Sequence, residues 1–158
     1  MSELFECRDL RCPYHLAQGY LTESLKKLAA TGRPTVITLS VPPAAGVALK
    51  KDVAVTFAPG TDPMHFDQPW RVHWTPEGGG PYPDFDGELT VRAAEDYTTA
   101  TLELRGTYKP PGGVAGQAFD WIAGSHLASA TAQQLLAELA GEMEQRYRQA
   151  EAEKHTSV

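Results

Sequence analysis

The feature that most constrains this fold is a set of segments in which apolar and polar residues alternate one by one. In residues 100–108 the even positions are mainly apolar and the odd positions are polar. A period of two puts the apolar side chains on one face of a β-strand and the polar side chains on the other. Similar alternation in residues 51–57, 70–75 and 85–92 predicts antiparallel strands with one buried face. The short connections between these segments predict a meander.

A first helix is predicted over about residues 13–31. Pro13 suits the first helical position, apolar residues such as Leu21 and Leu25 recur at helical spacing, and Gly32 ends the pattern. Residues 4–9 before this helix and the β-branched residues after it, 35–41, are each predicted to form a strand.

A second and much longer helix is predicted from about Val114 to Ala150. Its apolar stripe consists mostly of small residues from Ala118 to Ala132 and of bulky residues from Leu135 to Tyr147. The bulky half is typical of a core, whereas the small half either packs closely on a sheet or leaves a hollow beside it. A helix of this length is longer than the domain is wide, so the chain after about residue 148 is expected to fray or project.

The order of these elements predicts an α+β fold with a curved antiparallel sheet of six to seven strands around a long C-terminal helix. The 158 residues suit a single domain spanning 1–158. The net charge of −6 argues against nucleic acid as a partner, and two cysteines are too few for a disulfide scaffold. The acidic N-terminus lacks an apolar signal segment and no run is long enough to span a bilayer, so we expect a cytoplasmic protein with no membrane insertion.

Two Gly- and Pro-containing turn motifs resemble those of a known superfamily. They are Pro83-Asp-Phe85-Asp-Gly87-Glu-Leu89 and Gly106-Thr-Tyr108-Lys-Pro110-Pro111-Gly112, the second followed by Gly116 and Asp120. These motifs are similar to a strand opening and a strand-to-helix junction in the SRPBCC/START-like superfamily, and the similarity covers about residues 83–147. The resemblance implies a helix-grip fold with a hydrophobic cavity between the helix and the sheet. Members include lipid carriers, hormone receptors and polyketide aromatases/cyclases.

The leading hypothesis is a non-enzymatic binder or carrier of a small hydrophobic molecule in that cavity, with no cofactor, no metal and no catalytic residue. The expected ligand-binding residues are Trp70, Trp74, Phe85, Leu89, Leu102, Leu104, Tyr108, Trp121, Ile122, Ser125, His126 and Ser129. A buried serine of the helix either bonds back to a helix carbonyl or orients a ligand, and both alternatives stay open here.

Two other functions remain open. The first is a cyclase-like enzyme that moves protons through Tyr108, Ser125, His126 or Ser129 in the same pocket. The second is a protein-interaction module with a filled core that uses Trp70 and Trp74, or the projecting helix end. Assembly into a homodimer is compatible with each of these.

Three smaller clusters each have a functional and a structural interpretation. Cys7, Cys12 and His15 are either inert groups, or zinc ligands, or include a Cys12 thiol activated at a helix N-terminus. His65, Asp67 and His73 form either a metal or acid–base cluster or a set of solvated side chains. The Gly112–Gly116 segment is either a phosphate-binding turn or a turn that only redirects the chain. Asp120 is explained by its place in the first turns of a helix.

Overall fold

Six strands and two helices form the described part of the chain. In chain order they are β1 (Ser2–Leu10), α1 (Tyr14–Ala30), β2 (Thr35–Val41), β3 (Leu49–Pro59), β4 (Trp70–Pro76), β5 (Asp84–Ala93), β6 (Ala100–Lys109) and α2 (Gln117–Thr156). The computed structural model describes residues 2–41, 49–60, 69–78, 83–96, 98–109 and 117–156; within these, the side chains of residues 39–41, 49–51, 117–124 and 156 are outside the description.

The strands form one antiparallel sheet in the order β1-β6-β5-β4-β3-β2. Strands β2 to β6 follow one another as the predicted meander, and β1 joins the far side by pairing with β6. The strands β1 and β2 are therefore the two edges of the sheet. Each predicted strand and helix is present in the described chain.

The predicted register of the sheet is confirmed. One face of the sheet is buried against the helices, and the polar residues that alternate with the buried ones point outward. The buried residues named by the alternation are Val53, Val55, Trp70, Val72, Trp74, Leu89, Val91, Leu102 and Leu104. Arg71 is exposed and His73 is half-buried on the opposite face. A slip by one residue would have exchanged the two faces.

The end of α1 agrees with its sequence signal, whereas its start lies one residue later than predicted: Pro13 is the N-cap, with φ −58° and ψ 143°, and Tyr14 is the first helical residue. The carbonyl of Pro13 accepts from the Leu16 amide at 3.1 Å and from the Ala17 amide at 2.9 Å, which closes the first turn. Gly32 follows the helix with φ +66°, a left-handed conformation that favours glycine. The helix α2 differs from the expectation at its end, because it stays helical to Thr156 instead of fraying after about residue 148.

The sheet is curved around α2. Consecutive glutamines of this helix reach opposite edges of the sheet: Gln133 Nε2 donates to Glu6 Oε2 of β1 at 3.2 Å, and Gln134 Nε2 donates to the Thr38 carbonyl of β2 at 2.8 Å. In a flat six-stranded sheet the edges would lie about 24 Å apart, twice the diameter of a helix. Both edges can meet one turn of one helix only if the sheet wraps around it.

The helix α1 closes one end of this arrangement by packing on the C-terminal half of α2. Ser24, which is buried, donates to Glu142 Oε1 at 3.1 Å. The Arg146 guanidinium pairs with Glu23 and lies 5.2 Å from the centre of the Tyr20 ring. The core under α1 is filled by bulky side chains: Leu10, Leu21, Leu25, Leu135, Leu136, Leu139 and Met143.

Candidate functional site

The concave face of the sheet carries a row of three aromatic residues from three neighbouring strands. Trp74 of β4 lies opposite Phe85 of β5, which lies opposite Tyr108 of β6. The Trp74 and Phe85 rings are stacked with their centres 4.1 Å apart and an interplanar angle of 18°. The indole N–H of Trp74 donates to the Pro83 carbonyl at 3.2 Å, so this buried ring has its polar atom satisfied.

Next to this row the concave face has a pair of glycines, Gly87 and Gly106, opposite each other on β5 and β6. The Phe85 ring lies over both of them. A Cβ at Gly87 would be 2.4 Å from Phe85 Cζ, and a Cβ at Gly106 would be 2.7 Å from the same atom. Backbone oxygens approach at least as closely: Arg105 O would be 2.4 Å from a Cβ at Gly87, and Asp86 O would be 2.2 Å from a Cβ at Gly106. Glycine is required at both positions because the ring and the neighbouring backbone occupy the space of a side chain.

The N-terminal half of α2 runs toward this aromatic end of the sheet. Two contacts give the direction: Gln133 meets Glu6 in the middle of β1, and the Glu144 carboxylate is close enough to act on Cys12, just after β1. The helix and β1 therefore run in the same direction. Ser125 is eight residues before Gln133, about 12 Å, and Ser2, the partner of Tyr108, is about 13 Å before Glu6. We infer that Ser125 is level with the aromatic row. Ser129, only about 6 Å before Gln133, is level with Leu4, which is the β1 partner of Gly106.

The structure gathers most of the predicted site residues on one surface. The fully or largely buried members are Trp70, Trp74, Phe85, Leu89, Leu102, Leu104 and Tyr108. Ser125 and Ser129 are half-buried on α2, whereas His126 is exposed. The side chains of Trp121 and Ile122 lie outside the described residues.

The two tryptophans do not form a docking surface. Trp70 is 7% exposed and Trp74 is fully buried. Because both rings are buried, they offer no exposed surface to a partner. An interaction module that uses the projecting end of the helix stays a prediction.

The polar groups of α2 differ in part from the expectation. A bond back to a helix carbonyl, of the kind considered for Ser125 and Ser129, is made by Thr131, which is buried and donates to the Leu127 carbonyl at 2.6 Å. Sequence reasoning missed Thr131, although a hydroxyl beside the apolar stripe was a usable signal. Within the described residues every buried side-chain nitrogen or oxygen has a hydrogen-bond partner.

A groove of about 260 Å³ lies on the convex face of the sheet, across β3, β4 and β5. His73 Nδ1 and Asp86 Oδ1 are 2.8 Å apart at its wall, and Arg71 also lines it. The side chains of His73 and Asp86 are 44% and 72% exposed, which agrees with the interpretation of His73 as a solvated residue. His65 and Asp67, the other members of that predicted cluster, lie outside the described residues, as does the Gly112–Gly116 turn.

The cysteines give no metal site in the part of the chain that the structure describes. No group of three or more His, Cys, Asp or Glu residues there is placed to hold a metal ion. Cys7 is exposed and Cys12 is buried, and both are free thiols. Burial, and then the nearby Glu144 carboxylate, raise the pKa of Cys12 from 9.0 to about 11. This is the opposite of the activated thiol considered from the sequence, because burial outweighs the effect of a helix N-terminus.

Cys12 is expected to react slowly with a thiol reagent in the folded protein. It is neutral near pH 7, and the reagent needs both the thiolate and access to it. The measurement compares the rates of modification of the Cys7→Ser variant, which retains only Cys12, under native and denaturing conditions. The Cys12→Ser variant gives the rate of the exposed Cys7 under the same conditions. Equal native and denatured rates for Cys12 would contradict its burial.

The same pKa shift predicts a loss of stability at alkaline pH. The folded state favours the neutral thiol, so its contribution is fully present below about pH 9 and is lost as the pH rises toward about 11. The free energy of unfolding of the Cys7→Ser variant is therefore expected to fall more steeply over this range than that of a Cys7→Ser, Cys12→Ala variant. If the free energy of unfolding depends on pH in the same way for both variants, the pKa of Cys12 does not differ between the folded and the unfolded state.

Comparison with known proteins adds evidence on the fold. No protein-family model matches the chain, and no curated protein matches it by sequence. A protein of Thermus thermophilus has a TM-score of 0.50 at 12% sequence identity, over 90% of this chain and 97% of that chain. A conserved protein from Geobacillus kaustophilus matches with a TM-score of 0.49 and 14% identity, over 94% of this chain and 97% of its own. The Zhui aromatase/cyclase from Streptomyces sp. R1128 matches with a TM-score of 0.44 and 18% identity, over 92% and 94%.

At such low identity a structural match shows a shared fold and nothing more specific. The match to the Thermus structure spans nearly all of this chain. The order of the strands and the long helix inside the curved sheet agree with it. Neither described helix is both long enough and apolar enough to cross a bilayer. The helix-grip fold that the resemblance implied is confirmed: a curved six-stranded antiparallel sheet surrounds the long C-terminal helix.

Proposed function

We propose that the chain binds a small hydrophobic molecule between the aromatic end of the sheet and the N-terminal half of α2. The observation that carries this proposal is the change in side-chain size along α2. In its C-terminal half, Leu136, Leu139 and Met143 are buried in the core. Toward the aromatic row and the glycine pair, α2 has the hydroxymethyl side chains of Ser125 and Ser129, which are only half-buried.

The chemistry of this region suits an apolar ligand. The concave surface there consists of aromatic rings and a glycine pair, and ligand sites are usually apolar surfaces with a few polar groups that fix orientation. Two serine hydroxyls on the opposite wall supply such polar groups. Both cysteines are free, which supports a reducing compartment, and a cytoplasmic location is part of the proposal.

A cyclase-like activity would need proton-transfer groups in the same pocket. Of the residues considered for that role, Tyr108 is buried, whereas His126 is exposed on α2. An exposed imidazole is poorly placed for proton transfer in a closed pocket, and this favours the binding function over the enzymatic one.

The proposal is tested by placing leucine at Ser129. If this half of α2 borders a pocket, the new side chain enters space that is empty or occupied by ligand. The free energy of unfolding is then expected to stay unchanged or to rise, while the affinity for a fluorescent apolar probe falls roughly tenfold, the change that about 1.4 kcal/mol produces. Thermal unfolding and a probe titration measure the two effects.

Ala140→Leu is the matched control, because Ala140 is 1% exposed on the same helix and lies in its bulky half. There the extra methylenes enter a packed core, and we expect a cost of about 1–3 kcal/mol. A similar loss of stability for Ser129→Leu, with unchanged probe binding, would refute the pocket. Native mass spectrometry of the freshly purified protein then tests for a bound hydrophobic ligand directly.

A further inference from the structure

The two edges of the sheet are protected in different ways. The edge strand β1 carries Glu3, Glu6, Arg8 and Asp9, and charged side chains discourage an edge from pairing with another strand. The other edge strand, β2, has the sequence Thr-Val-Ile-Thr-Leu-Ser-Val and no charged residue. Its β-branched residues favour an extended strand. The composition of β2 is therefore that of an edge strand that can pair with a further strand.

The helix α2 covers the middle of this uncharged edge. Gln134 Nε2 donates to the backbone carbonyl of Thr38 at 2.8 Å, and its amide nitrogen is also 3.4 Å from Glu138 Oε1 one turn later. Since β3 occupies the other side of β2, the glutamine reaches this carbonyl from the free side. Gln133, by contrast, bonds to the carboxylate of Glu6 and not to the backbone of its edge strand.

We propose that the β2 edge is a self-association surface. A second copy of this chain pairs its own β2 with this edge as an antiparallel strand, and the Gln134 side chain blocks that pairing as long as it occupies the Thr38 carbonyl. Thr38 is the central residue of β2. A two-fold axis through it would pair Thr35 with Val41, Val36 with Ser40 and Ile37 with Leu39. This pairing opposes no like charges, and its central hydrogen bonds use the carbonyl that Gln134 now occupies.

The same symmetry operation applied to β1 is unfavourable, which is why the second copy is expected at β2. The central residue of β1 is Glu6. An axis through it places Glu6 opposite Glu6 and Glu3 opposite Asp9, and like charges directly opposite each other destabilise a strand pair. The composition of β2 therefore favours a second copy, and the Gln134 bond is what keeps the edge closed.

The test compares Gln134→Ala with Gln133→Ala by sedimentation equilibrium over a range of protein concentrations. The two variants remove neighbouring glutamines of one helix, but only the first uncovers backbone of an edge strand. We expect Gln134→Ala to self-associate at least tenfold more tightly than the unmodified chain, and Gln133→Ala to behave like the unmodified chain. Circular dichroism confirms that each variant is folded.

Adding Thr38→Lys to Gln134→Ala tests the pairing itself. Thr38 is exposed, and a lysine there keeps Asp52 as a neighbour, because Thr38 Oγ1 already donates to Asp52 Oδ1 at 2.7 Å. The proposed axis would set the two lysines directly opposite each other. The double variant is therefore expected to associate no more tightly than the unmodified chain. A folded Gln134→Ala that associates no more tightly than the unmodified chain overturns the proposal. So does equal association of Gln133→Ala, or association that persists after Thr38→Lys.

Discussion

Replacing Phe85 by alanine is expected to lower the free energy of unfolding by about 3–5 kcal/mol. Phe85 is fully buried and its ring stacks on Trp74. It also covers Gly87 and Gly106, which have no side chains of their own to fill the space. The neighbours cannot collapse into the gap, because backbone atoms of two paired strands form its floor. Urea unfolding, with the midpoint and slope fitted together, measures the loss.

Phe5→Ala is the matched control for this prediction. Phe5 is also on a strand, but it is 48% exposed on the convex face, with the Arg105 guanidinium 5.0 Å from its ring centre. An exposed cation–π contact contributes roughly 0.5–1 kcal/mol, so the control is expected to cost no more than that. Equal losses for the two variants would mean that Phe85 does not fill a space of its own.

The strand register could be predicted from the sequence because it depends on local alternation. Trp70, Val72 and Trp74 alternate with Arg71 and His73, and only one register buries the first set. The first helix was equally predictable, since its start and its end are marked by a proline and a glycine within the segment itself. The Gly- and Pro-containing turn motifs of the second half indicated the fold from the sequence alone.

The composition of the candidate site depends on contacts between residues distant in sequence. Alternation assigns Trp74, Phe85 and Tyr108 to a buried face, but that they form one row follows from the pairing of three strands. Gly87 and Gly106 belong to two separate strands of the predicted meander. Their pairing under the Phe85 ring becomes visible only when the register between β5 and β6 is known.

The chemistry of single side chains was the hardest to predict, because it is set by neighbours from other elements. Cys12 precedes a helix, which taken alone would lower the pKa of its thiol. Burial and a carboxylate from α2 raise it instead. Similarly, nothing in the local sequence indicated that Gln133 and Gln134 hydrogen-bond to opposite edges of the sheet.

Leu139→Ala is expected to lower the free energy of unfolding by about 2–5 kcal/mol. Leu139 is 5% exposed in the half of α2 that packs under α1, within a cluster that includes Leu136 and Met143. The loss comes from the cavity and not from the helix, because alanine has the higher helix propensity. The midpoint of urea unfolding is therefore expected to fall while its slope stays unchanged.

Gln145→Ala is the control, since Gln145 is exposed on the same helix and its replacement is expected to change stability by less than about 0.5 kcal/mol. The Leu139→Ala variant also distinguishes ligand binding near Ser129 from ligand binding under the C-terminal half of α2. Under conditions where it is folded, its affinity for the apolar probe is expected to match that of the unmodified chain, because the ligand is proposed to bind near Ser129. An unchanged midpoint of urea unfolding would show that the C-terminal half of α2 is not core. A loss of affinity for the apolar probe would show that the ligand binds under the C-terminal half of α2 and not near Ser129.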